Sequence, residues 1–211
     1  KRLVTKIDML PNTLSPLRDK NPNGGIKLTV GELLKYTISQ SDNNACDILF
    51  RYVGGTAQVN QYIAGLDVGN IEVTATEEEM HRTFEDQYLN WTEVMAAAKA
   101  MNAFLSRKLF APQFKKFLEQ ILIETTTGEN KIKALLPKEV IVGHKTGSSF
   151  RNETGVMPAE NDLGFIRVPG KGYYTLGIFV MNSFEDDETN AAMIAEISRF
   201  VYEYYVGDVE E

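Results

Sequence analysis

Leu163-Gly164-Phe165-Ile166-Arg167-Val168-Pro169-Gly170-Lys171-Gly172-Tyr173-Tyr174-Thr175-Leu176-Gly177-Ile178-Phe179-Val180-Met181 is the stretch that decides the fold. Two runs rich in β-branched and aromatic residues, Leu163–Val168 and Tyr173–Met181, flank Pro169-Gly170-Lys171-Gly172, which predicts two strands joined by a tight hairpin turn. Upstream of it, Val140–Thr146 reads as a third strand. Downstream, Met193, Ile194, Ile197, Phe200, Val201 and Tyr204 recur at helical spacing and predict a helix over about Asp186–Tyr205. Strands beside a closing helix imply an α+β layer architecture.

The chain before Pro137 reads as mainly helical. Thr29 and Glu32 form a capping box that opens a helix to about Gln40, and a second helix runs from about Asn44 to Tyr52, the two joined at Ser41-Asp42-Asn43. A short helix over 56–66 ends at Gly65, Val68–Thr74 reads as extended, and Glu77–Asn90 is polar with little periodicity. An irregular stretch of that length marks a functional loop or disorder. Thr92 is expected to cap a helix carrying Val94, Met95, Ala98, Met101 and Leu105 on one face, followed by another with Phe114, Phe117, Leu118, Ile121 and Leu122. Residues 1–28, rich in Pro, Asn, Asp and Gly, read as ordered loop. The expected division is a helical domain over 1–136, with its loop at about 72–91, and the C-terminal part of an α/β domain over 137–211, with three strands and the last helix.

Composition narrows the function. The 211 residues are 43% hydrophobic and 24% charged, and 22 Lys and Arg against 29 Asp and Glu give a net charge of −7. This is a globular composition without the basic stripe that nucleic-acid binding requires. The longest strongly apolar run, Leu176–Met181, is strand-sized, so no membrane span is expected. Cys46 is the single cysteine, which excludes an intrachain disulfide and any multi-cysteine zinc site, and reads as a buried small hydrophobe. With only two separated histidines besides, no metal or cofactor is expected. The start at Lys1-Arg2-Leu3, without Met or an apolar leader, reads as a processing or cloning boundary.

Three short motifs occur in order: Ser41-Asp42-Asn43 between helices, Glu77-x-x-Met80-His81 in the irregular segment, and Lys145-Thr146-Gly147-Ser148 at a strand end. Ser-Asp-Asn and Lys-Thr-Gly together belong to the signature of class A β-lactamases and penicillin-binding proteins. The chain resembles a class A serine β-lactamase. The likeness extends through Asn44-Ala45-Cys46-Asp47-Ile48-Leu49-Phe50, Asn90-Trp91-Thr92, Thr125-Thr126-Thr127-Gly128 and Asn161-Asp162-Leu163-Gly164, and is nearest to the Bacteroides-type cephalosporinases and related extended-spectrum enzymes.

That resemblance implies roles. β-Lactam hydrolysis through an acyl-enzyme needs a nucleophile, proton shuttles, an oxyanion hole and a positioned water. Ser41 would pass a proton toward the leaving β-lactam nitrogen, and Lys145 would hold that hydroxyl and attract the substrate carboxylate. Thr146 and Ser148 would hydrogen-bond the carboxylate, and the Ser148 backbone N–H would form half of the oxyanion hole. Gly147 lets a ligand approach the strand closely. Asn43 would bind the acylamino side chain, while Asp42 buttresses the turn and Asn44 has no assigned role. Glu77 in the omega-type loop would activate the deacylating water, with His81 holding loop or water. Counting back from Asn90 instead gives Asp86, and Glu77-Glu78-Glu79 also reads as a solvated acidic run. Met80-His81 favours Glu77. His144 faces away from Lys145 and reads as packing.

The chain departs from the pattern at the nucleophile, since no serine has a lysine three residues on. Leu14 also stands where an aromatic gatekeeper is common. The expectation is a truncated chain that lacks the first helix, two sheet strands and the nucleophile helix, is inactive alone, and self-associates through the apolar surface and sheet edge so exposed. Two rival readings are a penicillin-binding D,D-peptidase, which Glu77 argues against, and a noncatalytic β-lactam or peptidoglycan-binding module. The resemblance further implies a periplasmic or secreted bacterial enzyme with a small-molecule β-lactam substrate.

Overall fold

A computed structural model describes residues 1–207, and the chain divides into two compact units, Lys1–Thr92 and the part from Glu93 onward. The first unit contains β1 (Arg2–Val4), α1 (Pro16–Lys20), β2 (Ile26–Leu28), α2 (Val30–Ser39), α3 (Asn43–Val53), α4 (Thr56–Ala64), β3 (Ile71–Glu72), α5 (Glu77–Met80) and β4 (Trp91–Thr92). Its core gathers Val4, Met9, Leu17, Leu33, Ala45 and Ile48. The capping box at Thr29 forms as expected: the hydroxyl accepts from the Glu32 amide at 3.1 Å and the Glu32 carboxylate accepts from the Thr29 amide at 2.7 Å.

Residues 1–28 are not simply loop. β1 and β2 pair antiparallel in the register Arg2↔Leu28 to Val4↔Ile26, and Val4 is fully buried. Strands of three residues each are too short to show a period-two pattern, so their pairing is invisible in composition. β3 and β4 likewise pair through Ile71↔Thr92 and Glu72↔Trp91, tying together the two ends of the omega-type loop.

The second unit holds α6 (Val94–Ser106), α7 (Pro112–Ile123), β5 (Ile141–Ser148), β6 (Met157–Val168), β7 (Gly172–Ser183) and α8 (Asp187–Val206). The strands form an antiparallel sheet in the order β5-β6-β7, and the predicted hairpin closes through the Lys171 amide to the Val168 carbonyl at 3.0 Å, with Gly170 at φ +74°. Helices α6 and α7 lie against β7 and β5, and α8 against β6 and β7. The boundary therefore falls at Thr92, not at 136, because α6 and α7 bury their small and apolar faces on the sheet and belong to its layer. Ile132, Val140, Ile166, Val168, Ile178 and Ile194 form the core. The α+β class holds.

Several faces differ from expectation. Glu93, not Thr92, precedes the first turn of α6, and the Thr92 hydroxyl instead donates to the Asn70 carbonyl at 3.1 Å. Val94 and Met95 are exposed while Ala97, Met101 and Leu105 are buried. In α8 the buried face is Ala191, Ile194, Ala195 and Ser198, leaving Met193, Ile197, Phe200 and Tyr204 exposed. Small residues permit the close helix-to-sheet approach, so a pattern read from large side chains alone points the wrong way. β6 begins at Met157 rather than Leu163, and the two carboxylates of its polar start find partners inside the unit, Glu160 with Lys131 and Ser148, Asp162 with His144 and the Ile132 amide. Cys46 is half-buried. Among the described residues no helix is long and apolar enough to cross a membrane.

Candidate active site

Within the first unit, the turn between α2 and α3 is built on Asp42. Its fully buried carboxylate caps α3 by accepting from the Ala45 amide at 2.8 Å, and also accepts from the Leu17 amide at 2.6 Å and the Ser15 hydroxyl at 3.0 Å. Ser41 is held at φ +54°, a left-handed conformation that non-glycine residues adopt only when their surroundings enforce it. Asn43 donates to the Thr13 hydroxyl at 2.7 Å. Asn44, to which the sequence assigned nothing, is buried and clamps the Leu10 backbone, accepting from its amide and donating to its carbonyl, both at 3.2 Å.

The loop glutamate is fixed from outside the loop. Asp47 on α3, buried, accepts from the Glu77 amide at 2.8 Å and the Glu78 amide at 3.0 Å. Burial pushes the Asp47 carboxyl above its ordinary value, against the two backbone bonds that favour its charged form. Thr76 and Glu79 make a second capping box on α5, and the Glu77 carbonyl lies 2.6 Å from His81 Nδ1. At the far end Asn90 accepts from the amides of Thr74 (2.8 Å) and Ala75 (2.9 Å) and donates to the Ala75 carbonyl and to Met80 Sδ.

A cavity of about 150 Å³ opens here, lined by residues 10–13 together with Asn43, Asn44, Asp47, Glu77, Glu78 and His81. It brings together Asn43, Glu77 and His81; Ser41 and Asp86 are not among its lining residues. Replacing Asp47 with Asn leaves one acceptor for two amides and turns an NH₂ toward the other. An unpaired donor there costs about 1–3 kcal/mol, so hydrogen exchange at Glu77 or Glu78, whichever amide loses its acceptor, is expected to accelerate about 5-fold to 100-fold. Unchanged exchange at both amides would remove Asp47 from this role.

In the second unit, Lys145, Thr146, Gly147 and Ser148 end β5. The buried Thr146 hydroxyl sits 2.7 Å from the Thr127 hydroxyl, and Lys145 Nζ donates to the Thr146 carbonyl. A Cβ at Gly147 would meet nothing within 4 Å, so the strand end is open to close approach at that position. Gly128, at φ +67°, has the opposite reason for its lack of a side chain: a Cβ would lie 2.4 Å from Thr146 Cγ2. His144 is fully buried, with Nδ1 3.0 Å from both carboxylate oxygens of Asp162, which also accepts from the Ile132 amide at 3.2 Å. The packing role expected for His144 fits that burial. Lys131 and Glu160 form a buried ion pair beside Ser148 that the sequence did not announce. Among the described residues no cluster of His, Cys, Asp and Glu could hold a metal ion.

Comparison with known proteins matches residues 4–205 to the beta-lactamase enzyme family. The chain belongs to the class A β-lactamase family. It is 46% identical over 196 residues to a β-lactamase of Bacteroides uniformis, covering 92% of this chain and 66% of that protein. With β-lactamase VEB-1 of Pseudomonas aeruginosa it shares 38% over 210 residues, 96% of this chain and 68% of the relative. The crystal structure of the TLA-1 extended-spectrum β-lactamase superposes with a TM-score of 0.95 at 45% identity, covering 98% of this chain and 75% of that one. A class A β-lactamase from Bacteroides cellulosilyticus gives 0.93 at 46%, covering 98% and 74%. The chain thus spans about two thirds of the length of the curated relatives it matches.

Proposed function

We propose that the protein carrying this chain hydrolyses β-lactams through a serine acyl-enzyme. The observation that carries the reading is Glu77, its backbone pinned by Asp47 and its residue lining one cavity with Asn43 and His81. In this reading Glu77 takes the proton of the deacylating water and His81 holds the loop. Asn43 binds the acylamino group. Ser41 relays a proton to the leaving nitrogen. Lys145, Thr146, Gly147 and Ser148 receive the carboxylate and the acyl oxygen along the strand edge. Such a strand edge reads an extended ligand as sheets read added strands.

Because no serine of these 211 residues has a lysine three residues on, the chain by itself is expected to form no acyl adduct by that motif. Intact-mass spectrometry tests both statements: the natural full-length protein mixed with a cephalosporin should gain the drug's mass and turn it over, and the 211-residue chain should do neither. Absence of reaction in the full-length protein would leave a noncatalytic binding module; an adduct on the short chain would refute its inactivity.

We further propose that the enzyme is exported, since its substrates act outside the cytoplasm, and that the 211-residue chain self-associates. Exposed Phe200 and Tyr204 on α8 and the outer position of β7 in the sheet support the latter. Sedimentation that stays monomeric over a wide concentration range would contradict it.

A further inference from the structure

Ser148 has one hydroxyl proton, and it is already committed. Its Oγ donates to Glu160 Oε1 at 2.9 Å, across the β5–β6 register in which Ser148 stands opposite Glu160. Glu160 is itself held by Lys131, both side chains 6% exposed. The three protons of the Lys131 ammonium find the Glu160 carboxylate, Ser148 Oγ at 3.4 Å and the Asn161 carbonyl at 3.4 Å. The pair is therefore satisfied within the unit and lies directly behind the Ser148 hydroxyl at the strand edge.

A hydroxyl that donates inward shows its lone pairs outward. Toward a ligand, Ser148 then acts as an acceptor and meets a carboxylate oxygen as one acceptor meets another. To serve a carboxylate it must turn its proton away from Glu160. The Glu160 charge lies behind the same hydroxyl and opposes an incoming anion, although Lys131 neutralises most of it.

We propose that Glu160, neutralised by Lys131, is a specificity-determining positioning residue that holds the Ser148 proton and so weakens capture of the substrate carboxylate at the Lys145-Thr146-Gly147-Ser148 edge. This rests on the β-lactamase reading given above. Replacing Glu160 with Gln keeps the shape but removes the charge that competes for the hydroxyl and leaves the Lys131 cation uncompensated.

The test is steady-state kinetics of the natural full-length protein and its Glu160→Gln and Glu160→Thr variants on a cephalosporin and on the methyl ester of its carboxylate. The expected result is a KM for the free acid lowered about tenfold in Glu160→Thr and by less in Glu160→Gln, whose amide oxygen still accepts the Ser148 proton, with a kcat within about twofold of the parent and an ester KM that does not move in either. A free-acid KM that rises, or changes of equal size for acid and ester, would overturn the proposal and make Glu160 merely structural. If thermal melting shows that neither variant folds, neutron diffraction of the parent decides: a Ser148 proton directed anywhere but at Glu160 overturns it. A parent enzyme that hydrolyses neither compound overturns the β-lactamase reading, and this inference with it, whereas a parent active on the acid with unmoved variants sinks this inference alone.

Discussion

Glu77→Gln in the natural full-length protein is expected to acylate at close to the parent rate and then stall, with kcat lowered about 10²–10⁴-fold, the span that a positioned general base contributes. The amide cannot take the proton of the attacking water, yet it preserves the size of the side chain and both backbone bonds to Asp47, which come from the amides of Glu77 and Glu78 and not from the glutamate carboxylate. Mass spectrometry should therefore find the covalent adduct accumulating during turnover. The same substitution at Asp86, outside the cavity lining, should leave kcat within about threefold of the parent. A reversal of the two results would transfer the base to Asp86.

The second large effect concerns stability. Asp42→Ala removes the cap of α3 and leaves the Leu17 amide and the Ser15 hydroxyl without their shared acceptor in a fully buried place. Loss of a cap costs about 1 kcal/mol and stranded buried donors about 1–3, so the expected loss is about 2–4 kcal/mol, read as a lowered urea midpoint at unchanged slope. Asp42→Asn retains a capping oxygen and should lose about half as much. A loss under about 1 kcal/mol for Ala would show that water repairs the turn.

The charge of Asp42 adds a pH dependence. Burial pushes its folded value above the ordinary 3.8, against the bonds from Ala45, Leu17 and Ser15. The contribution of this titration to stability is then fully present below about 3.8 and is withdrawn as pH rises through the folded value.

Elements with local signals were legible in the sequence. The Thr29–Glu32 capping box, the Pro169 to Gly172 turn and the long C-terminal helix each announce themselves within a few residues. The Thr76–Glu79 box carried the same signal but sat beneath an acidic run that reads as solvated surface. What could not be read was long-range. Asp47 meets Glu77 across 30 residues, and Asn90 meets Ala75 across 15. Lys131 pairs with a glutamate on a strand whose polar start hides its strand character. No periodicity encodes such partners, because each is chosen by the fold after the strands and helices are in place. The motifs named Asn43, Glu77 and Lys145, and were silent about Asn44, Asp47 and Glu160, which hold their neighbours in position.

The omega-type loop is fastened by its main chain, through Asp47 at one end and Asn90 at the other, with the β3–β4 pair beneath. Those anchors lie outside residues 82–89, within which the Thr83 hydroxyl accepts from the Asp86 amide and Phe84 packs edge-on against Tyr88. Residues 82–89 can accordingly drift in sequence, or be randomised in a library, while the glutamate stays where it is. On the reading proposed above, variation there is a route by which such a protein can explore new ligands, since diversity accumulates without touching the bonds that hold Glu77.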